Sequence, residues 1–335
     1  MTRVAVLDIG TVTCRLGVAE VEAGRVVRCA KSSAICNLGE GVAETGELSG
    51  AAMGRVLACI DESLAQARAA AVPYACCTLT SAARDAANAH VLLEGLRRRG
   101  VVPEVIPGEV EGALTFLGVA QDFRGVRVMV ADNGGGSTEL AVGTLAPDEA
   151  ASGAGSLALD AVISLNVGAR RVTDMFLSRE DPPVPAALEE ARAFCRDAFA
   201  AGMPAAARGA CRPERLLCVG GTATTLVALS HELEPYDPGF VHLHELTLEK
   251  VDALIERMAA LPLERRRELK GLQPKRAGVI VGGAVCVSEL MRACGVPSLT
   301  VSESDLLFGL SLVAAACAEG APSPIGWRPS LFAIS

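Results

Sequence analysis

The stretch VRVMVADNGGGSTELAVG, residues 126–143, decides how the rest of the chain is read. Residues 126–133 are rich in valine, the composition of a buried strand. They end on an acid, Asp132, and lead into Gly134-Gly135-Gly136-Ser137. Residues 138–143 resume as a second strand. The same order occurs earlier in LDIGTVTCRLGV, residues 7–18: an acid, Asp8, at a strand end, then a Gly/Thr loop, then a strand. Identity is weak, but a strand-loop-strand unit repeated about one domain length apart marks an internal structural duplication. In a Rossmann or P-loop domain a helix follows the glycine turn directly. Here Arg15-Leu16-Gly17-Val18-Ala19 continues as extended chain.

Working outward, residues 3–9, 14–22 and 25–31 read as strands, with Gly24 at a turn. Residues 49–71 have helical period through Val56, Ile60 and Leu64, with Ser49 as N-cap. A buried strand is expected at 74–80, and helices at 81–99 and 109–119. After the second glycine loop, residues 152–160 read as a third strand. Residues 163–199 read as helical, interrupted at Asp181-Pro182-Pro183. Residues 215–219 form a strand, and Gly220-Gly221-Thr222 opens a helix through His231. A helix follows at 248–260. Residues 278–295 open strand-like, pass Gly282-Gly283 and become a helix. A strand at 298–302 and a helix at 304–318 complete the pattern. The fold class is therefore α/β with two domains: 1–120, completed by the helix 304–318, and 121–303. Residues 319–335, rich in proline, are expected to be a loose tail.

Composition narrows the function classes. Half of the 335 residues are hydrophobic, but only 3% are aromatic, so cores are built from small side chains. No apolar run is long enough for a bilayer, and MTRVAVLDIG lacks the layout of a signal peptide, so a cytoplasmic protein without a membrane partner is expected. The net charge of −8 argues against nucleic acid as a partner. An acidic protein that binds a polyanion must do so locally, through backbone amides, a few arginines and a divalent cation. The twelve cysteines contain no Cys-x-x-Cys pair, and the four histidines lie at no ligand spacing from them. Reduced, buried, structural thiols are expected rather than a zinc site.

The glycine loops carry the chemistry. Consecutive backbone N–H groups in a concave turn, and helix N-termini, bind phosphate well. Gly134, Gly135, Gly136 and Ser137 supply such a turn, with Asp132 at its lip and Glu139 beyond it as candidate ligands for a divalent cation. Mg²⁺ commonly takes only one or two carboxylates, plus waters and phosphate oxygens. A plain hairpin turn would also use glycines, but three in a row between Asp and Ser-Thr favour phosphate. The loop at Asp8, Gly10, Thr11 and Thr13 is weaker alone and gains from its likeness to the second. Two such loops facing each other across a central cleft would grip one phosphate chain. Gly220, Gly221 and Thr222 form a third anion-ready turn, which close helix–strand packing explains equally well. Arg84 is a candidate bidentate phosphate ligand. Glu109 and Glu111 stand at a helix start, where acids are common for electrostatic reasons alone.

In order, Asp8-Ile9-Gly10-Thr11, Thr80-Ser81-Ala82-Ala83-Arg84, Ile106-Pro107-Gly108-Glu109-Val110-Glu111, Asp132-Asn133-Gly134-Gly135-Gly136-Ser137-Thr138-Glu139-Leu140 and Val219-Gly220-Gly221-Thr222 resemble the exopolyphosphatase / guanosine pentaphosphate phosphohydrolase (Ppx/GppA) family, in its short two-domain form. The resemblance covers residues 3–312. It implies a duplicated actin-like, ribonuclease H-like (ASKHA) fold and a homodimer. It also implies release of terminal phosphate from inorganic polyphosphate, or conversion of guanosine pentaphosphate to tetraphosphate, with Mg²⁺ or Mn²⁺. Glu111 then matches the catalytic glutamate, a general base for water. Asp132 and Glu139 match acids around the metal, and Arg15 and Arg84 match arginines on the phosphate-binding face. The chain departs from the pattern in four places. Val12 stands for Asn, Asn37 and Ala113 stand for Arg, and Asp305-Leu306-Leu307-Phe308-Gly309 replaces Gly-Leu-Arg-Glu-Gly. These losses of polar and basic groups weigh against a long polyanion and leave open a guanosine pentaphosphate hydrolase or a non-catalytic sensor of (p)ppGpp or polyphosphate.

Overall fold

The structure is a computed structural model and describes residues 1–147, 157–209 and 212–334. It forms two compact units. The first comprises Met1–Val126, Gly143–Leu159 and Asp305–Ser335; the second comprises Arg127–Val142 and Asp160–Ser304.

The first unit contains β1 (Thr2–Ile9), β2 (Thr13–Glu22), β3 (Arg25–Ile35), α1 (Val42–Thr45), α2 (Gly50–Ala69), β4 (Tyr74–Leu79), α3 (Ser81–Asp85), α4 (Ala89–Arg97), β5 (Pro103–Val105) and α5 (Gly108–Val119). The C-terminal segment adds α13 (Leu306–Ala318) and β12 (Phe332–Ala333). The sheet runs β12-β4-β1-β2-β3, with β5 also paired to β4. β1 is antiparallel to β2 and parallel to β4. Val4–Ile9 is buried throughout, as a central strand covered on both faces requires. β3 carries Arg25, Arg28 and Lys31 and is largely exposed, which blunts the edge against further pairing. Ser49 caps α2 by accepting from the Ala52 amide, and Ala52, Val56, Ile60 and Leu64 face the core.

The expected single helix over 81–99 is two helices. Ala86 is extended, with φ −90° and ψ 126°. Asn88 turns its side-chain amide to Leu48, accepting from its N–H at 2.8 Å and donating to its C=O at 2.9 Å. That local pairing competes with helix continuation. The tail is also more ordered than its composition suggests. Phe332 pairs with Ala75 of β4 and is buried, and Ser330 donates to Glu104.

The second unit contains β6 (Arg127–Asn133), β7 (Thr138–Leu145) and β8 (Leu157–Leu165). Then follow α6 (Ala169–Val172), a π-helical turn at Thr173–Leu177, α7 (Pro185–Gly202), β9 (Arg215–Val219), α8 (Gly221–Ser230), α9 (Pro238–Val241), β10 (Glu245–Thr247), α10 (Leu248–Ala259), α11 (Leu263–Arg266), α12 (Ile280–Cys294) and β11 (Ser298–Val301). The outer ends of β7 and β8 count with the first unit. The sheet order is β10-β11-β9-β6-β7-β8, with β9 parallel to β6. Each sheet thus contains three successive strands with a later strand parallel to the first of them, which is the duplication inferred from the two glycine loops.

Two expectations are corrected here. Residues 163–165 belong to β8, so the region 163–199 starts as strand; the expected strand at 152–160 lies partly outside the described residues, and what is described of it, from 157, is β8. The strand-like opening of 278–295 is helical from Ile280, because α12 is buried on every side and its apolar run therefore lacks a period. Among the described residues no helix is long and apolar enough to cross a membrane. The eleven described cysteines are free thiols.

Helix α13 is apolar on nearly all faces and packs closely on α5. The contact is backbone to backbone. A Cβ on Gly309 would lie 1.8 Å from the Leu114 carbonyl oxygen, and one on Gly118 would lie 2.3 Å from that of Asp305. Gly309→Ala should therefore destabilise the protein by about 1–3 kcal/mol through overpacking. Gly54→Ala, in the open interior of α2 with no atom within 4 Å, should stabilise it by about 0.5–1 kcal/mol. Urea midpoints of the two variants should move in opposite directions from wild type.

Candidate functional site

In the second unit, the turn between β6 and β7 has its peptide planes pinned one after another. The Ala169 N–H donates to Gly134 C=O at 2.9 Å. The Arg170 and Arg171 N–H groups donate to Gly135 C=O at 2.8 and 3.1 Å. Arg171 Nε donates to Gly136 C=O at 2.8 Å. In a trans peptide the C=O of one residue and the N–H of the next point oppositely. Fixing these three carbonyls toward α6 therefore aims the N–H groups of Gly135, Gly136 and Ser137 the other way. Among the described residues those three amides donate to nothing. Gly168 makes this contact possible: a Cβ there would lie 2.6 Å from the Gly135 oxygen. Below the turn, Asn133 donates to Thr138 Oγ1 and Thr138 to Val167 C=O, which fixes the strand ends. The result is a row of three converging donors of the kind that binds phosphoryl oxygens.

Asp132 is buried at 7% exposure, next to the third turn. Gly220 has φ +101°, a conformation that disfavours any side chain. A Cβ on it would lie 2.6 Å from Asn133 O and 3.3 Å from Asp132 Oδ1, so glycine lets this turn pack directly against the end of β6 beside that carboxylate. Gly221 is covered by the Arg276 guanidinium, whose Nη1 would lie 2.1 Å from a Cβ there, and Thr222 is buried. Glu139 is 2% exposed and accepts from Ser164 Oγ at 2.7 Å. Among the described residues no three His, Cys, Asp or Glu side chains gather as a metal-holding group. Hard carboxylate oxygens at the lip of an amide turn fit a largely hydrated Mg²⁺, which needs only one or two protein carboxylates.

The first unit repeats the turn. The Gly10 N–H donates to Thr13 C=O at 2.8 Å, just as the Gly134 N–H donates to Ser137 C=O at 3.0 Å. A Cβ on Gly10 would lie 3.2 Å from the Thr13 oxygen, and one on Gly134 3.2 Å from the Ser137 oxygen. The carbonyls are pinned here too. Thr11 C=O accepts from Gly39 N–H, and Val12 C=O accepts from the Cys36 and Asn37 N–H groups. The amides of Thr11 and Val12 donate to nothing among the described residues. Val12 thus offers its main chain whatever its side chain is.

Asp8 and Arg15 are cross-strand partners flanking this turn. Arg15 Nε and Nη2 donate to Asp8 Oδ2 at 2.9 and 2.7 Å, and Nη1 donates to Asp305 Oδ2 at 3.0 Å. Lys31 Nζ lies 3.7 Å from the same Asp305 oxygen. Asp8 is 2% exposed. Burial raises its carboxyl above the usual range, and the Arg15 charge offsets only part of that. The guanidinium expected on the phosphate face is thus held by two carboxylates.

Arg84, from the last turn of α3, donates to Ile106 C=O at 2.9 Å and to Glu111 Oε2 at 2.7 Å. Glu111 sits in the first turn of α5, with its amide on Pro107 C=O, and is 8% exposed. Two residues selected separately from the sequence thus meet in an ion pair. The pair fixes the orientation of the Glu111 carboxylate. Among the described residues Glu109 carries no comparable contact and stands at the helix start as a favourable charge.

Sequence reading missed Arg171, Ser164, Lys31 and Asp305. Arg171 lies inside the stretch read as helical, and its Nε bond to a backbone oxygen has no sequence signature. Asp305 is 290 residues from Arg15. Its capping role was detectable, since an acid before an apolar helix is a common start.

With this geometry in view, known proteins can be compared. A family model described as the Ppx/GppA phosphatase family matches residues 17–311. Exopolyphosphatase 2 of Mycobacterium tuberculosis is 30% identical over 339 residues, covering 93% of this chain and 98% of its own. The crystal structure of the Aquifex aeolicus Ppx/GppA family member is 29% identical with a TM-score of 0.73, covering 93% of this chain and 96% of that one. The crystal structure of an exopolyphosphatase from Cytophaga hutchinsonii is 23% identical with a TM-score of 0.81 over 97% of this chain and 100% of that one, and shows the fold alone. The fold is the duplicated actin-like, ribonuclease H-like one. The chain belongs to the Ppx/GppA phosphatase family and is a phosphoanhydride hydrolase.

Proposed function

We propose that the chain is an exopolyphosphatase that removes the terminal phosphate of inorganic polyphosphate with the help of Mg²⁺ or Mn²⁺. The observation that carries this reading is the row of three pinned, undonated amides at Gly135, Gly136 and Ser137. Such a row suits an anion with several oxygens, and it supplies charge stabilisation without added cationic residues, as an acidic protein requires.

Glu111 acts as general base. It takes a proton from water as the water oxygen attacks the terminal phosphorus in line, and the bridging P–O bond breaks on the opposite side. Orthophosphate and a chain shorter by one phosphate result. Arg84 positions the Glu111 carboxylate through the 2.7 Å ion pair. Within the second unit, the pinned amides suit phosphoryl oxygens, because charge growing on such oxygens in a transition state strengthens hydrogen bonds to them. Asp132, buried next to Gly220, would hold the divalent cation, which would supply neutralisation of phosphate charge when bound. The Exopolyphosphatase 2 name of the Mycobacterium tuberculosis relative supports polyphosphate as the substrate.

A second reading is a guanosine pentaphosphate hydrolase. The carboxylates on Arg15, together with Asn37, Ala113 and Leu307 where the family pattern has arginine, lower the positive charge available to a long polyanion, and Val12 removes a polar contact. Comparing phosphate release from polyphosphate and from guanosine pentaphosphate separates the two. Polyphosphate is expected to give the larger kcat/KM, and the reverse result would favour the second reading.

Glu111→Gln should lower kcat by about 10²–10⁴-fold with polyphosphate binding retained. Release of phosphate at the wild-type rate by this variant would remove Glu111 from the role of base. Gly168→Ala should displace the glycine turn and raise KM for polyphosphate; an unchanged KM in a folded variant would show that the turn does not contact substrate. Removal of divalent ions by EDTA should abolish turnover, and Mg²⁺ or Mn²⁺ should restore it, with Asp132→Asn needing more metal for half-maximal activity.

A further inference from the structure

We propose that Asp305 is a specificity-determining residue: it restrains attraction of polyphosphate to the first-unit turn by neutralising the two cations beside it. This inference rests on the exopolyphosphatase reading above.

The two oxygens of Asp305 have separate tasks. Oδ1 accepts from the Leu307 N–H at 3.0 Å and caps α13. Oδ2 receives Arg15 Nη1 at 3.0 Å and Lys31 Nζ at 3.7 Å. Arg15 is the cross-strand partner of Asp8 and stands two residues after Thr13, at the edge of the turn whose Thr11 and Val12 amides are undonated. Its other two nitrogens already engage Asp8. Asp8, Asp305, Arg15 and Lys31 therefore form a cluster whose formal charges sum to zero. The Lys31 ammonium also lies over the Phe308 ring, 5.6 Å from its centroid, which keeps it at this place.

The side chains of Arg15, Asp305 and Lys31 are 20%, 13% and 28% exposed. Charges this sheltered are screened less by salt than those on an open surface. Removing the negative charge of Asp305 leaves a net positive charge beside the turn and releases Arg15 Nη1 from its carboxylate. An incoming phosphoryl oxygen then meets an attractive field where the native protein presents a balanced one.

The separation of tasks provides the experiment. Asp305→Asn keeps an Oδ1 that can cap α13, since Asn caps as well as Asp. It replaces the charged Oδ2 by an N–H group, which cannot accept from Arg15 or Lys31. With inorganic polyphosphate of defined length as the probe, binding is measured by calorimetry and phosphate release is followed across a KCl series. The expected result is Kd and KM lowered about three- to tenfold, kcat moving less than KM, and a steeper loss of binding with salt. Adding Arg15→Gln to Asp305→Asn should abolish most of the gain. Asp305→Ser, which also caps, gives the same comparison if the Asn variant folds poorly. Polyphosphate hydrolysis by wild type, with unchanged or raised KM in both folded Asp305 variants, overturns this inference alone. Absence of both binding and hydrolysis in wild type and variants overturns the exopolyphosphatase reading, and this inference with it.

Discussion

A backbone amide can be offered to an anion only if something else holds its peptide plane in place. In the second unit the hydrogen bonds from Ala169, Arg170 and Arg171 to the carbonyls of Gly134, Gly135 and Gly136 provide that constraint. Without them, three consecutive flexible residues would lose too much conformational entropy on ordering to present their N–H groups together. Much of the local architecture serves this restraint. β6 and β7 deliver the two ends of the turn, Asn133 and Thr138 tie those ends, and Gly168 lets α6 come close enough to bond. The turn is held in one shape because its acceptor side is fixed by these bonds.

The first unit reaches the same end by a different route. There the carbonyls of Thr11 and Val12 are held by the segment after β3, through Cys36, Asn37 and Gly39, rather than by a helix. The two turns share the Gly N–H to C=O bond three residues later, but little else in their surroundings. Beside the first turn Arg15 pairs with Asp8 and Asp305, and elsewhere in the same unit Arg84 pairs with Glu111. These partly buried pairs orient side chains and leave the turn amides undonated among the described residues.

Much of this was legible in the sequence. The duplication was visible because the strand-turn-strand order survives where identity does not. Helix α2 was visible because its apolar residues recur at helical period and Ser49 is a good cap. Asp132 and the glycine turn were selected from residue type and order, and Glu111 and Arg84 through the family resemblance. Other features resisted for physical reasons. Residues of β8 alternate only weakly and precede a helical stretch, so its last residues, 163–165, were absorbed into the helix. Asn88 breaks a helix through a bond to Leu48, forty residues away, which no local pattern records. The opening of α12 is uniformly apolar because it is buried on all sides, and uniform burial erases period. The partners of Arg15 were not foreseeable: pattern marked the arginine, but only the fold brings Asp305 to it.

The undonated amide of Val12 has a further consequence. A grip formed from the main chain does not depend on which side chains the turn carries, so substitution there is filtered mainly by shape. Proline is the exception, since it has no N–H to offer. The two halves of a duplicated chain can therefore drift apart in sequence, as LDIGTVTCRLGV and ADNGGGSTELAV have, while each keeps its turn. Conventional alanine scanning, which leaves every N–H in place, would pass over such a surface. Replacing single peptide bonds by esters, which removes one donor and leaves the side chains alone, is the perturbation to which these turns are chemically sensitive.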